Sequence, residues 1–227
     1  MSDPLSVQSI FAGLDWSKLL DLLLSVIPAL VCIIVHELCH GLAAYALGDD
    51  TAKKRGRLSI NPLKHIDAWG LLMLVICKFG WAKPVPVNMF RFRHPKRGMA
   101  LTALAGPVSN LVLAVIVMFI RGMLTGVLPG FVTDLCDLTA YMSICLGVFN
   151  FIPIPPLDGS KVLLAILPDE GYYKLMRYEK YGMIILVVLL MSGIISTPLS
   201  RVTGYVFSHL FYSIAQAGFD LSRLIFG

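Results

Sequence analysis

The chain has 227 residues, of which 57% are hydrophobic and only 15% are charged, and its formal net charge is +5. Soluble domains average about 45 to 50% apolar and about 25% charged residues, so this composition excludes an ordinary soluble protein and a disordered chain and predicts a polytopic membrane protein. Five cysteines without a C-x-x-C pair exclude a disulfide framework and a thiolate zinc site.

Five apolar segments follow one another along the chain. Four of them, at about residues 19–47, 99–120, 138–154 and 183–199, approach the roughly 20 residues that a helix needs to cross the bilayer. The fifth, 202–219, contains His209, Gln216 and Gly218 and is a poorer span. We therefore predict one all-α membrane domain over 1–227 with four or five membrane helices. Its core is at about 19–199, and the topology of the C-terminal apolar segment, 200–227, stays open.

A shorter apolar segment, 68–77, lies between two basic segments. About ten residues cannot span the bilayer as a helix, so this segment is predicted to be re-entrant, entering and leaving the membrane on the same face. On either side of it, residues 57–61 and 83–88 alternate with a period of two, which predicts β-strands. Pro84 and Pro86 make the second an edge strand.

The basic residues are concentrated around this short segment. Eleven of the 19 lie in or beside the two polar segments that flank it: Lys53, Lys54, Arg55, Arg57, Lys64, Lys78, Lys83, Arg91, Arg93, Lys96 and Arg97. This is the positive-inside pattern of cytoplasmic loops, and it predicts the lipid bilayer with its anionic headgroups as the partner. Without a recognisable nucleic-acid-binding module, no nucleic-acid partner is expected.

The first apolar segment contains His36-Glu37-Leu38-Cys39-His40, an H-E-x-x-H motif. Histidines at i and i+4 lie about 5 to 6 Å apart on one helix face, so both imidazoles can bind one zinc ion. Glu37, on the same turn, is placed to take a proton from an attacking water. The apolar tract before the motif, residues 22–35, would cover only about 21 Å. The helix must therefore continue through the motif, which places ionisable groups below the membrane surface and predicts a functional site.

A zinc ion held by two histidines needs a third protein ligand. The best candidate is Asp158, which follows three prolines between 153 and 156 that break the third helix near its end. The first helix reaches the cytoplasmic side soon after His40, and the third reaches the same side at Asp158. Two alternatives stay open: Asp158 as the N-cap of a helix starting near Gly159, and His65 or Asp67 as the third ligand.

Two asparagines lie inside apolar helices, where an amide needs a partner. Asn150, eight residues before Asp158, could donate to the oxygen of a tetrahedral intermediate or to a neighbouring helix. Asn110 offers the same two alternatives, and Gly106 and Ser109 beside it favour helix packing.

These motifs together resemble the site-2 protease family of intramembrane zinc metalloproteases: H-E-x-x-H, then G-P-x-x-N at 106–110, then N-x-x-P-x-P-P-L-D-G at 150–159. Residues 56–67 and 80–88 resemble the compact prokaryotic branch without a PDZ domain, and the likeness covers about residues 25–170. The resemblance implies that His36, His40 and Asp158 bind one Zn²⁺ per chain. It also implies that Glu37 is the catalytic base and that Asn150 contacts the substrate or the oxyanion.

We therefore expect an intramembrane zinc metalloprotease in a prokaryotic cell membrane, acting on membrane-anchored proteins or peptides, with its basic loops and active site toward the cytoplasm. An edge strand carrying Lys83, Val85 and Val87, or the one at 57–61, could hold the unwound substrate by strand addition. The alternative is a protein that binds or transports metal through the same ligands without hydrolysis, which would leave Glu37 unexplained. The oligomeric state stays open, a homo-oligomer included.

Overall fold

The computed structural model describes residues 16–67, 69–70, 82–168, 170–171 and 179–226. These residues are mostly helical, as predicted. In chain order the helices are α1 (Trp16–Ala46), α2 (Thr51–Lys54), α3 (Pro95–Met123), α4 (Gly130–Asn150), α5 (Asp158–Ile166), α6 (Glu179–Met191) and α7 (Ser196–Phe226). Short 3₁₀ turns lie at Pro62–Lys64 and Met89–Arg91.

Three of these helices are long and apolar enough to cross a membrane: α1 over Leu24–Ala46, then α3 and α4. Only 22 to 33% of the residues in their most apolar windows are buried inside the protein. Apolar side chains such as Ile27, Val112 and Ile116 therefore face outward. Exposing so much apolar surface to water would be unfavourable, so the surroundings of these helices are lipid.

The four or five predicted spans are not confirmed, since the described residues contain three such helices, or four spans if α6 and α7 form one bent span. Besides the three, α6 and α7 satisfy the length and apolarity requirements only as a pair, and they are bent by 77° at the break between them. The two predicted segments, 183–199 and 202–219, are thus divided at the wrong place, because α6 ends at Met191 and α7 begins at Ser196. Gly193, with φ of +78°, lies in this break, in a conformation that glycine adopts without a steric penalty.

Helix α3 is the centre of the bundle and packs against α1, α4, α5 and α7. Its Ala114 and Met118 form a buried cluster with Ala140 and Ile144 of α4, and apolar side chains of α7 pack against that cluster. At Gly122 a Cβ atom would collide with the backbone of Ala215, so α3 and α7 touch backbone to backbone. Helix α3 therefore positions the helices that pack against it.

The predicted β-strands are not present among the described residues, where the pairing is limited to one isolated antiparallel bridge between Ile66 and Ala82. In the second predicted strand, the carbonyls of Lys83 (2.6 Å) and Pro84 (3.1 Å) accept hydrogen bonds from the Arg57 guanidinium, which also donates to the Lys64 carbonyl. The Ile66–Ala82 bridge nevertheless brings the two ends of the intervening segment together. The predicted re-entrant part, 68–77, lies outside the described residues apart from 69 and 70.

Candidate metal centre and active site

Two histidines and one aspartate converge at the end of α1. His36 and His40 are one turn apart, with 3.0 Å between their Nε2 atoms, and Oδ2 of Asp158 lies 3.1 and 2.9 Å from the same two nitrogens. A tetrahedral zinc with ligands at about 2.0 to 2.1 Å sets its ligand atoms about 3.3 Å apart. The three atoms therefore fit around one metal ion with a fourth position left over, and the donor set of two imidazoles and a carboxylate suits zinc.

The Asp158 carboxylate is placed by the break that the sequence predicted. Helix α4 ends at Asn150, irregular backbone follows, and Asp158 is the first residue of α5. Its second oxygen, Oδ1, lies 3.2 Å from the Lys161 ammonium. Burial acts to raise the pKa of Asp158, but hydrogen bonds with both histidines and the charges of His40 and Lys161 hold that pKa well below its usual range. The carboxylate is thus ionised, the form that binds a metal.

Glu37 lies beside this cluster, and its carboxylate is fixed by a contact that the sequence did not predict. Its Oε2 accepts a hydrogen bond of 2.8 Å from the backbone N–H of Val85. His36, Glu37, His40 and Asp158 open together into a cavity of about 490 Å³. Apolar side chains line much of the rest of it, including Ile33, Leu146, Phe149, Met183 and Leu186.

Segment 82–88 forms part of the wall of this cavity. Of its three residues predicted to hold a substrate, Val85 and Val87 line the cavity. Lys83 does not: its N–H donates to the His65 carbonyl at 2.8 Å, and its carbonyl accepts from Arg57. The segment is therefore held to the loop before it at one end and to Glu37 in the middle.

At its other end the segment is held by Asp49, which is fully buried. The Asp49 carboxylate accepts hydrogen bonds from the N–H of Asn88 (2.6 Å) and from the N–H (3.0 Å) and hydroxyl of Thr51. Burial acts to raise the pKa of Asp49, but these hydrogen bonds and the nearby Arg91 guanidinium lower it. An anionic Asp49 thus joins the end of α1 to the segment that touches Glu37.

The two asparagines occupy different places. Asn150 lines the cavity, and its Nδ2 donates to the carbonyl of Leu146 one turn earlier in the same helix, at 3.0 Å. Asn110 of α3 is completely buried, with its amide nitrogen 3.4 Å from Nδ1 of His36. The contact of Asn110 joins α3 to α1, as the helix-packing alternative expects, and the residue that it reaches on α1 is a member of the metal cluster.

The rival ligands lie elsewhere. His65 is buried, and its Nε2 lies 2.8 Å from the Ser59 carbonyl, where it stabilises the loop after α2. Asp67 accepts from the N–H of Gly70. Within the described residues, the cluster that could hold a metal consists of His36, His40 and Asp158 alone.

Helix α3 contributes two contacts to the site: sequence reasoning missed the one at Thr102, and for Gly106 it predicted helix packing without the histidine rings as partner. The carbonyl of Thr102 lies 2.7 Å from Nδ1 of His40. At Gly106 a Cβ atom would come within 2.7 Å of Cε1 of His36 and within 2.5 Å of Cε1 of His40, so only glycine leaves room for the two rings. The sequence does hold a signal, since Thr102, Gly106 and Asn110 are four residues apart and share one face of the helix.

Comparison with known proteins finds a family and several relatives of this chain. The model of peptidase family M50 matches residues 127–193, which include Asn150 and Asp158. A Bacillus subtilis protein named "Putative zinc metalloprotease YwhC" is 37% identical over 202 residues, 86% of this chain and 87% of the relative. A Mycolicibacterium smegmatis protein named "Putative zinc metalloprotease Rip2" is 30% identical over 167 residues, 72% of this chain and 64% of the relative. No solved structure matches.

Proposed function

Since the chain belongs to peptidase family M50, the site-2 protease family of zinc metalloproteases, we propose that it hydrolyses peptide bonds of membrane-anchored substrates within or close to the bilayer. The observation that carries this proposal is the position of Glu37, a carboxylate opening into the same cavity as His36, His40 and Asp158 on an apolar helix. A protein that only bound or transported the metal would have no use for a base at this place.

We assign His36, His40 and Asp158 as the ligands of one zinc ion, supported by the distances between their ligand atoms. When bound, zinc acts as a Lewis acid that polarises the scissile carbonyl and the attacking water. Lys161 binds Oδ1 of Asp158, so the carboxylate presents Oδ2 alone to both histidine Nε2 atoms. Asp158 would therefore offer Oδ2 to the metal, with Oδ1 occupied by Lys161.

Glu37 is the general base and then the general acid. The Val85 N–H holds Oε2, which leaves Oε1 to take the proton of the attacking water. As the peptide bond breaks, Glu37 passes that proton to the nitrogen of the departing amine. The apolar wall of the cavity keeps bulk water away from these transfers and strengthens the electrostatic interactions within it.

Asn150 is the second group that touches the reacting atoms. Its side-chain N–H donates to Leu146 within its own helix, and that carbonyl belongs to a helical turn with a backbone partner of its own. Turning the amide toward the cavity would release the N–H to the oxygen that gains charge on the scissile carbonyl. Removal of one such donor elsewhere costs about 10²- to 10³-fold in turnover.

The substrate is held in extended form by Val87. Along 83–88, Pro84 and Pro86 lack an N–H, while Lys83, Val85 and Asn88 donate to His65, Glu37 and Asp49. The N–H of Val87 has no partner among the described residues, and Val87 lines the cavity. A helical substrate hides its carbonyls in its own hydrogen bonds, so an unwound stretch gains a donor by pairing here.

The basic segments and the site face the cytoplasm in this proposal. Residues 48–57 and 83–91 lie at one end of the bundle, joined by the hydrogen bond from Asn88 to Asp49 and by the ion pair of Arg91 with Asp50. Basic loops at a single end are the arrangement favoured on the cytoplasmic side of a prokaryotic membrane.

The test of hydrolysis is the Glu37→Gln variant. Gln keeps the shape of Glu and leaves both histidines able to bind, but an amide cannot take a proton from water. Cleavage of a single-span reporter in liposomes should fall by about 10²- to 10⁴-fold while zinc content, measured on the same sample, stays the same. His36→Ala is the control that should lose both. Normal cleavage by zinc-loaded Glu37→Gln would refute the proposed base.

The test of substrate pairing compares Val87→Pro with Val87→Ala. Proline removes the N–H, whereas alanine keeps it and shortens the side chain. We expect Val87→Pro to raise KM or abolish cleavage with zinc retained, and Val87→Ala to act much like the wild type. Equal cleavage by the two variants would show that the substrate does not pair with this N–H.

A further inference from the structure

The two histidines of the cluster differ in what faces their second ring nitrogen. A neutral imidazole that binds a metal through Nε2 carries its proton on Nδ1, and that Nδ1–H needs an acceptor when buried. For His40 the acceptor is the Thr102 carbonyl, at 2.7 Å. For His36 the neighbouring group is the side-chain amide of Asn110, at 3.4 Å.

The orientation of the Asn110 amide decides whether it can accept the Nδ1–H of His36. With Nδ2 toward His36, the amide is a donor, which suits the tautomer of His36 that carries its proton on Nε2 and donates to Asp158. In this orientation Oδ1 of Asn110 is buried without a hydrogen-bond partner among the described residues. Rotating the amide by 180° exchanges two groups of nearly equal size and places Oδ1, an acceptor, against Nδ1 of His36.

We propose that Asn110 is a positioning residue for the zinc site, whose Oδ1 accepts the Nδ1–H of His36 and thereby fixes the ring that binds zinc through Nε2. Each histidine then has its own acceptor on α3, Thr102 for His40 and Asn110 for His36. Asn110 is well suited to this task because it is completely buried, so water does not compete for the contact.

The backbone around Asn110 supports a fixed position for the side chain. Its carbonyl accepts a hydrogen bond of 2.8 Å from the Ser143 hydroxyl, which is itself buried. This bond ties the turn of α3 that carries Asn110 to α4. The backbone that carries the amide is therefore fixed. The remaining freedom is the rotation of the amide, which decides whether Nδ2 or Oδ1 faces His36.

The proposal rests on the proposed role of His36 as a zinc ligand, and its first test measures metal affinity in the full chain in detergent. Zinc is titrated against a competing chelator for wild type, Asn110→Leu, Asn110→Asp, Ser143→Ala and His36→Ala. Loss of such a contact to a metal ligand costs about 10- to 100-fold in affinity, which is the loss expected for Asn110→Leu. Asn110→Asp keeps an acceptor and should stay within a few-fold of wild type. Ser143→Ala leaves the Asn110 side chain intact but removes the bond that fixes its turn of α3, so it should lose affinity, though less than Asn110→Leu.

The outcomes distinguish the assignment of His36 as a ligand from the role of Asn110. If His36→Ala retains wild-type zinc affinity, the ligand assignment itself fails. If His36→Ala loses zinc while a folded Asn110→Leu binds it normally, the assignment stands and the proposal for Asn110 is wrong.

A spectroscopic measurement covers the case in which Asn110→Leu does not fold. In zinc-loaded protein with ¹⁵N-labelled histidine, we expect the Nδ1 of His36 to be protonated. Asn110→Asp should shift that resonance and leave the resonances of His40 in place. A His36 signal that does not respond to Asn110→Asp would overturn the proposal.

Discussion

Replacing Gly106 by alanine should destroy the metal site while leaving the helix that carries it intact. The new methyl carbon would lie 2.5 Å from Cε1 of His40 and 2.7 Å from Cε1 of His36. Carbon atoms in ordinary contact are about 3.5 to 4.0 Å apart, so the rings or the helices would have to separate by about 1 Å. Zinc–ligand distances tolerate about 0.2 Å, so both histidines cannot keep their places.

The expected loss can be measured in two ways. Zinc affinity should fall, and cleavage of the reporter should fall by at least about 10²-fold, the effect of a misplacement of about 1 Å at a reacting centre. Helix stability acts in the opposite direction, because alanine favours a helix over glycine by about 0.8 to 1.0 kcal/mol. A loss of function in Gly106→Ala therefore would not result from a weaker α3.

The matched control is Gly204→Ala. This residue is also inside a helix, α7, and no heavy atom of its surroundings lies within 4 Å of an added Cβ. Zinc content and cleavage should be unchanged there. If Gly106→Ala also bound zinc and cleaved the reporter like wild type, the two helices could separate at the site without disturbing the ligands, and the reasoning from close approach would fail.

Three further outcomes are expected. Asp158→Ala should lose zinc and His65→Ala should keep it, as metal analysis of the purified variants will show; the reverse result would move the third ligand to the loop after α2. Since the pKa of Asp49 is lowered by folding, its stabilising effect is fully present above the pKa of about 3.9 of an unfolded aspartate and is lost as the pH falls from there through the lower pKa of the folded protein. Asp49→Asn should thus lower the unfolding temperature more at pH 7 than at pH 3. Cysteines placed at Arg55 and Arg93 should be labelled from the same side of the membrane, and opposite-side labelling would contradict the predicted topology.

The metal cluster could be predicted because each part leaves a local pattern. Two histidines at i and i+4 share a helix face whatever surrounds them. The prolines before Asp158 end a helix wherever they occur, and the depth of that break in the membrane follows from the lengths of the apolar segments. Local rules of this kind bring His36, His40 and Asp158 to one level without knowledge of how the helices pack.

The prediction of strands at 57–61 and 83–88 failed because alternation of buried and exposed residues has more than one cause. A loop that folds back on a bundle also buries some side chains and exposes others. Here the buried residues include Arg57 of the first segment, whose guanidinium binds the carbonyls of Lys83 and Pro84 in the second. A side chain therefore joins the two segments in place of a backbone ladder. No period in the sequence reveals such a contact.

For Asn110 the sequence left two alternatives and could not decide between them. Whether an amide inside an apolar helix meets a histidine or a lipid-facing neighbour depends on how α1 and α3 are rotated and staggered against each other. Composition and period do not specify that stagger. The same holds for the Val85 N–H, which reaches Glu37 from 48 residues away in the chain.

The face of α3 formed by Thr102, Gly106 and Asn110 has a consequence for protein design. Thr102 contacts His40, Gly106 lies against both imidazole rings, and Asn110 contacts His36. Helix α3 supplies no ligand atom, yet it determines the orientation of the ligands on α1. A designer who copied H-E-x-x-H onto one helix of a new bundle would obtain imidazoles free to rotate and a loosely held ion. The transferable unit is a pair of antiparallel helices, one with the histidines and the other with an acceptor, a glycine and a second acceptor at intervals of four residues.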